Sequence, residues 1–91
     1  MKTLRYSSQM KKDLKRYRNQ PKKMQSLKNL LTFLQVDGVV PAEYRPHVLS
    51  GKYKGYMECH VEGDLLLIWL NEAGDIIDLV RFGTHSELFR M

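Results

Sequence analysis

The chain has little with which to staple or anchor itself. Its single cysteine, Cys59, has no partner for an internal disulfide, so the fold must rest on a hydrophobic core, and a reducing, cytoplasmic compartment is expected. No apolar run approaches the roughly 18 residues of a membrane span; the longest is the stretch from Leu65 to Leu70. Lys2 and Arg5 are followed by no apolar stretch, so no secretory signal and no membrane partner are expected. Proline and glycine are sparse, at three and six residues, and no repeat, low-complexity linker or glycine-rich nucleotide loop interrupts the chain. Residues 1–91 therefore read as one domain. Acids are scarcest near the start. Asp13 stands alone against ten Lys/Arg in residues 1–35, whereas residues 36–91 hold nine acids against five Lys/Arg. A basic segment of this kind suits a polyanion or an acidic partner protein.

What is present is a folding composition, 43% hydrophobic and 27% charged. Lys2 to Tyr6 alternates polar and apolar residues as a short strand does. Ser7 or Ser8 can cap a helix in which Met10, Leu14 and Tyr17 share one face. Lys11, Lys12, Lys15 and Arg16 fill the others. Pro21 suits the first turn of a second helix, with Met24, Leu27, Leu30, Leu31 and Leu34 as its apolar stripe and Gly38 as its stop. A loop is expected over residues 42–51, then strands over Tyr53 to Val61, Leu65 to Leu70 and Asp75 to Phe82, with a turn at Asn71 to Gly74. The expected fold is α+β, in the order β-α-α-β-β-β. An N-terminal helix hairpin packs on one face of a small antiparallel sheet.

Three histidines, His47, His60 and His85, lie in the acidic part. Period-2 alternation puts Lys52, Lys54, Tyr56, Glu58 and His60 on one side of a strand and Cys59 on the core side, where its thiol would be inert. If Gly63 occupies the left-handed position of a three-residue loop, His60 and Asp64 pair across the turn; a two-residue loop would separate them. The positions of His47, His60, Asp64 and His85 match no compact ligand motif, so neither a metal nor another cofactor is expected.

The segments His47 to Tyr56, Glu58 to Asp64 and Gly83-Thr84-His85 with Leu88-Phe89 resemble YafQ-type toxins of the RelE/ParE toxin–antitoxin superfamily. Met57, Gly63 and Leu65 depart from the residues usual there. The resemblance covers essentially the whole chain and implies a RelE-like fold. It further implies a ribosome-dependent mRNA endonuclease that inhibits translation and is neutralised by a cognate antitoxin. That antitoxin would bind DNA with one half and the toxin with an acidic half, giving a heterotetramer, with the free toxin monomeric. It places catalytic weight on His47, His60, Asp64 and His85, gives Phe89 a supporting part, and matches Arg81 to a phosphate-contacting arginine. RNA supplies its own 2′-hydroxyl nucleophile, so His85 is expected as general acid and His60, oriented by Asp64, as base. Lys52, Lys54 and Arg81 would stabilise phosphate charge. Lys11, Lys12, Lys15, Arg16, Lys22 and Lys23 would hold ribosomal RNA. Competing readings are a gyrase inhibitor on the same fold, or a plain nucleic-acid-binding module; neither needs proton-transfer groups.

Overall fold

The first helix is set by one serine with two tasks. Ser7 Oγ accepts the Met10 N–H at 2.9 Å as N-cap and donates to the Val80 carbonyl at 2.9 Å, so the helix start is fastened to the sheet. The computed structural model describes residues 1–72 and 74–89. Strand β1 (Thr3–Tyr6) leads into helices α1 (Ser8–Tyr17) and α2 (Pro21–Asp37). Next come the two-residue strand β2 (His47–Val48), β3 (Met57–Glu62), β4 (Leu65–Asn71) and β5 (Ile76–Thr84), and a short helix α3 (His85–Leu88). Pro21 opens α2 where its missing N–H costs nothing, and Gly38 closes it by donating to the Leu34 carbonyl at 2.9 Å. Among the described residues no helix is long and apolar enough to cross a membrane. Ala73, in the expected turn after β4, lies outside the described residues.

The sheet order is β1-β5-β4-β3-β2. Strands β3 to β5 are antiparallel as expected, and β2, a strand within the expected loop, pairs antiparallel with β3, but β1 joins β5 in parallel, with Tyr6 opposite Leu79. The sheet is therefore mixed: two helices and three strands separate β1 from β5 along the chain, and alternation in a strand carries no information about the direction of its neighbour. On one face the helices bury Met10, Tyr17, Leu27, Leu30 and Leu34 against Cys59, Leu67, Trp69, Leu79 and Phe82. On the other, Leu66, Ile68 and Leu88 pack with Leu49, Tyr53, Tyr56, Val80 and Phe89. Strand β4 is thus covered on both sides, which is why it reads as an unbroken apolar run. The face expected to be polar or aromatic carries its own apolar cluster. Lys52 and Lys54 are not on it, because residues 51–53 form a 3₁₀ turn and the strand begins only at Met57.

Asp13 is fully buried. Beyond Tyr6 the chain leaves β5, and the Phe82 N–H has no strand to receive it. The Asp13 carboxylate, reaching in from α1, accepts that N–H at 3.0 Å and the Arg81 guanidinium at 2.9 and 3.3 Å; Gln9 adds a fourth bond at 3.2 Å. One acid stands in for a missing strand and neutralises a cation. Removing one member of a buried pair leaves the other uncompensated, at a cost of about 3–5 kcal/mol. Asp13→Ala is predicted to lose that much unfolding free energy in urea titration at neutral pH. A loss of less than about 1 kcal/mol, the value of an exposed pair, would contradict the account.

Candidate active site

Strands β2 and β3 pair His47 with Glu58. His47 Nδ1 lies 2.9 Å from the Arg45 carbonyl and Nε2 lies 3.1 Å from Glu58 Oε1. A carbonyl and a carboxylate both accept, so bonding at both nitrogens requires a proton on each, or one held on Glu58. Glu58 is buried, at 8% side-chain exposure, and its Oε2 has no hydrogen-bond partner among the described residues; the same is true of His60 Nδ1. Two residues on from Glu58 along β3, His60 turns its ring toward His47, with centroids 6.3 Å apart. An acid and two imidazoles thus share one face of the sheet, with two polar atoms uncommitted and shielded from solvent.

A second group forms where β5 ends. Thr84 caps α3, His85 is the helix's first residue, and Phe89 stacks beside His85 at 4.9 Å between ring centroids. Tyr53 meets Phe89 edge-on at 5.9 Å and Tyr56 at 5.9 Å, and Lys52 Nζ sits 5.6 Å from the Tyr53 ring. His60 is opposite Leu66, Leu66 is opposite Gly83, and His85 follows two residues later. The two histidine groups therefore occupy the same end of the sheet.

A family model described as bacterial toxin of type II toxin–antitoxin system, YafQ, matches residues 2–90. The chain belongs to the YafQ toxin family. It is 39% identical over 87 residues to the mRNA interferase toxin YafQ of Escherichia coli K12, covering 94% of each chain. The E. coli DinJ–YafQ complex contains a similar structure: TM-score 0.84, 37% identity, and coverage of 98% of this chain and 99% of that one. A metal-bound toxin from Helicobacter pylori matches with TM-score 0.84 and 33% identity over 98% of this chain and 100% of that one. Among the described residues no three His, Cys, Asp or Glu side chains are grouped to hold a metal ion.

In this YafQ-family chain the expected partnership of His60 with Asp64 is replaced. Val61 is bulged, His60 pairs with Leu66 and Glu62 with Leu65, leaving Gly63-Asp64 as a two-residue turn with Gly63 at φ +51°. Asp64 precedes the residue paired with Thr84, so it lies toward the start of α3. There it shares a shallow depression with Lys22, Lys23, Glu62 and Thr84. The carboxylate beside the histidines is Glu58. Period-2 alternation puts Glu58 on this face, but nothing in the sequence marks its role, because its partner sits on a two-residue strand within the expected loop.

Arg81 is half-buried and engaged. Its pKa is raised, first by the hydrogen bond to Asp13 and further by Tyr53. Lys11, Lys12, Lys15 and Lys22 are exposed, with no ion pair among the described residues. Arg16 bonds Glu87 at 3.3 Å, and Lys23 lies over the Tyr17 ring at 5.7 Å. Lys52 and Lys54 are exposed in the loop before β3.

Cys59 is wholly buried, and burial, aided by the charge of Glu58, pushes its thiol up to about 12. The reactive form is the thiolate. At pH 8 a thiol reagent is predicted to label the native protein only as fast as it unfolds, and the urea-unfolded protein at once. Stoichiometric labelling of the native protein within the mixing time would contradict this placement.

Proposed function

We propose that this toxin is a ribosome-dependent endoribonuclease that cuts mRNA without a metal ion, through attack by the RNA's own 2′-hydroxyl. It is an enzyme of the mRNA-interferase kind. The observation that carries the reading is the pair of histidine groups at one end of the sheet, His60 with His47 and Glu58, and His85 with Phe89. Such a cleavage needs a base for the 2′-proton, positive charge for the phosphorane, and an acid for the 5′-oxygen.

His60 takes the 2′-proton as the new P–O2′ bond forms. His85 gives its proton to the 5′-oxygen as the P–O5′ bond breaks. His60 Nδ1 is buried, so Nε2 is the nitrogen assigned to the proton. His47, held against Glu58, positions the phosphate beside His60. Asp64, displaced from His60 by the turn, is assigned to the His85 side and remains the second candidate base. Lys52 and Lys54 carry most of the phosphate charge, since Arg81 shares its own with Asp13. Phe89 and Tyr53 form an aromatic shelf under a base or against the acid. Lys11, Lys12, Lys15 and Lys22 hold ribosomal RNA, with Arg16 and Lys23 beside them. The same basic surface suits the acidic half of a cognate, DNA-binding antitoxin, in a heterotetramer with this otherwise monomeric, cytoplasmic toxin.

The test compares the native protein, His85→Ala, and the quadruple Lys11, Lys12, Lys15 and Lys22→Ala variant, each stripped of bound metal with EDTA and then desalted, on programmed ribosomes in magnesium buffer. His85→Ala should bind ribosomes normally and cut roughly 10²–10⁴-fold more slowly. The lysine variant should bind less tightly, its salt slope falling by roughly 0.7–0.9 for each phosphate it no longer neutralises. Cleavage by His85→Ala at the native rate would overturn the assignment of the acid. Absence of cleavage by the stripped native protein, restored by adding a transition metal such as zinc or copper, would overturn metal independence. Absence both with and without added metal would move the reading to a gyrase inhibitor or a binding module.

A further inference from the structure

Helix α3 has four residues, far fewer than the ~12–15 that hold a helix together unaided, yet it carries His85 and ends beside Phe89. Something outside it must fix its position. Glu87, on its third residue, does so in several directions at once. Its backbone N–H bonds Thr84 Oγ1 at 3.3 Å, and its Oε1 receives the Thr84 N–H at 2.8 Å. The same Oε1 accepts the hydroxyl of Tyr17, a residue 3% exposed at the end of α1. Oε2 lies 3.3 Å from Arg16 Nη1. The carboxylate folds back over Gly83, where a Cβ would come within 2.7 Å of Oε1. A side chain at this position would have to displace that carboxylate.

We propose that Glu87 is the positioning residue of the catalytic histidine: Tyr17 and Arg16 clamp its carboxylate, locking α3, and with it His85 and Phe89, onto the basic helix α1. The proposal rests on the reading of His85 as general acid. Burial and the bond to Glu87 push the Tyr17 hydroxyl up to about 12, so at neutral pH it remains a donor. At Glu87, burial works to raise the pKa, but the bonds from Tyr17 and Thr84 and the charge of Arg16 outweigh it and the value falls. The carboxylate therefore stays an acceptor. The ring of Tyr17 is held independently, edge-on to Phe82 at 5.1 Å, so its hydroxyl can be removed without emptying the core.

The consequence concerns the surface that binds and the group that reacts. Residue 16 is among the cations assigned to ribosomal RNA, and residue 17 holds the clamp. A shift of α1 on binding would be delivered to His85 through one carboxylate. A misplacement of about 1 Å at a reacting group costs roughly 10²-fold.

The test uses Glu87→Ala, Glu87→Gln and Tyr17→Phe in the full chain, with two readouts. The first is the nuclear Overhauser effect between the His85 and Phe89 rings in the free protein. The second is single-turnover mRNA cleavage against ribosome concentration. Glu87→Ala should abolish the Overhauser effect and slow the chemical step by roughly 10²-fold at unchanged half-saturation. Tyr17→Phe should do the same to a smaller extent. Glu87→Gln keeps an oxygen acceptor for Tyr17 and Thr84 and should restore most of both. A native Overhauser effect and native rate in Glu87→Ala and Tyr17→Phe would overturn the clamp. Disappearance of the Overhauser effect with an unchanged rate would instead leave the clamp standing and remove His85 from catalysis.

Discussion

A single carboxylate organises this molecule. Where β1 ends, β5 continues as an open edge, and unpaired backbone donors at such an edge are costly when buried. Asp13 closes the edge by accepting the Phe82 N–H and, through the same group, absorbs the charge of Arg81. The chain's most basic segment thereby contains one acid that belongs to the interior. Of the other charges on α1, Arg16 meets Glu87, and Lys11, Lys12 and Lys15 are left to solvent or to a partner.

The ties between α1 and the far strand follow one another in order. Ser7 at the start of the helix meets Val80, Asp13 in its middle meets Arg81 and Phe82, and Arg16 and Tyr17 at its end meet Glu87. The helix is laid along the final strand and out onto the helix that carries His85. A face of exposed lysines and a face of histidines are in this way parts of one frame. The proposed division between ribosome binding and RNA chemistry has its structural counterpart in that frame.

Much of the frame is legible in the sequence, because the signals are local. Ser7, Pro21 and Gly38 act through caps and fixed backbone angles, and the Leu65 to Leu70 run announces a strand covered on both faces. What escapes is made at long range. β2 exists only because His47 and Val48 find Glu58 and Met57, and two residues carry no periodicity. The turn after β3 has two residues because Val61 bulges, and that single shift separates Asp64 from His60 and leaves Glu58 as the acid of the histidine group. Asp13 fits a solvated basic helix until the open edge of β5 is known. The parallel direction of β1 depends on the path of the two helices and three strands that lie between it and β5.

The proposed chemistry follows from that geometry. In the proposed reaction, two imidazole groups at one end of a sheet, one beside a buried carboxylate and one on a clamped four-residue helix, would supply a base and an acid for a nucleophile already present in RNA. The most direct measurement is the chemical identity of the ends that the metal-stripped protein leaves on ribosome-bound mRNA. The account predicts a 2′,3′-cyclic phosphate or its 3′-phosphate on the upstream fragment and a free 5′-hydroxyl on the downstream one. A 5′-phosphate with a free 3′-hydroxyl would show that water, not the 2′-hydroxyl, is the nucleophile, and would contradict it.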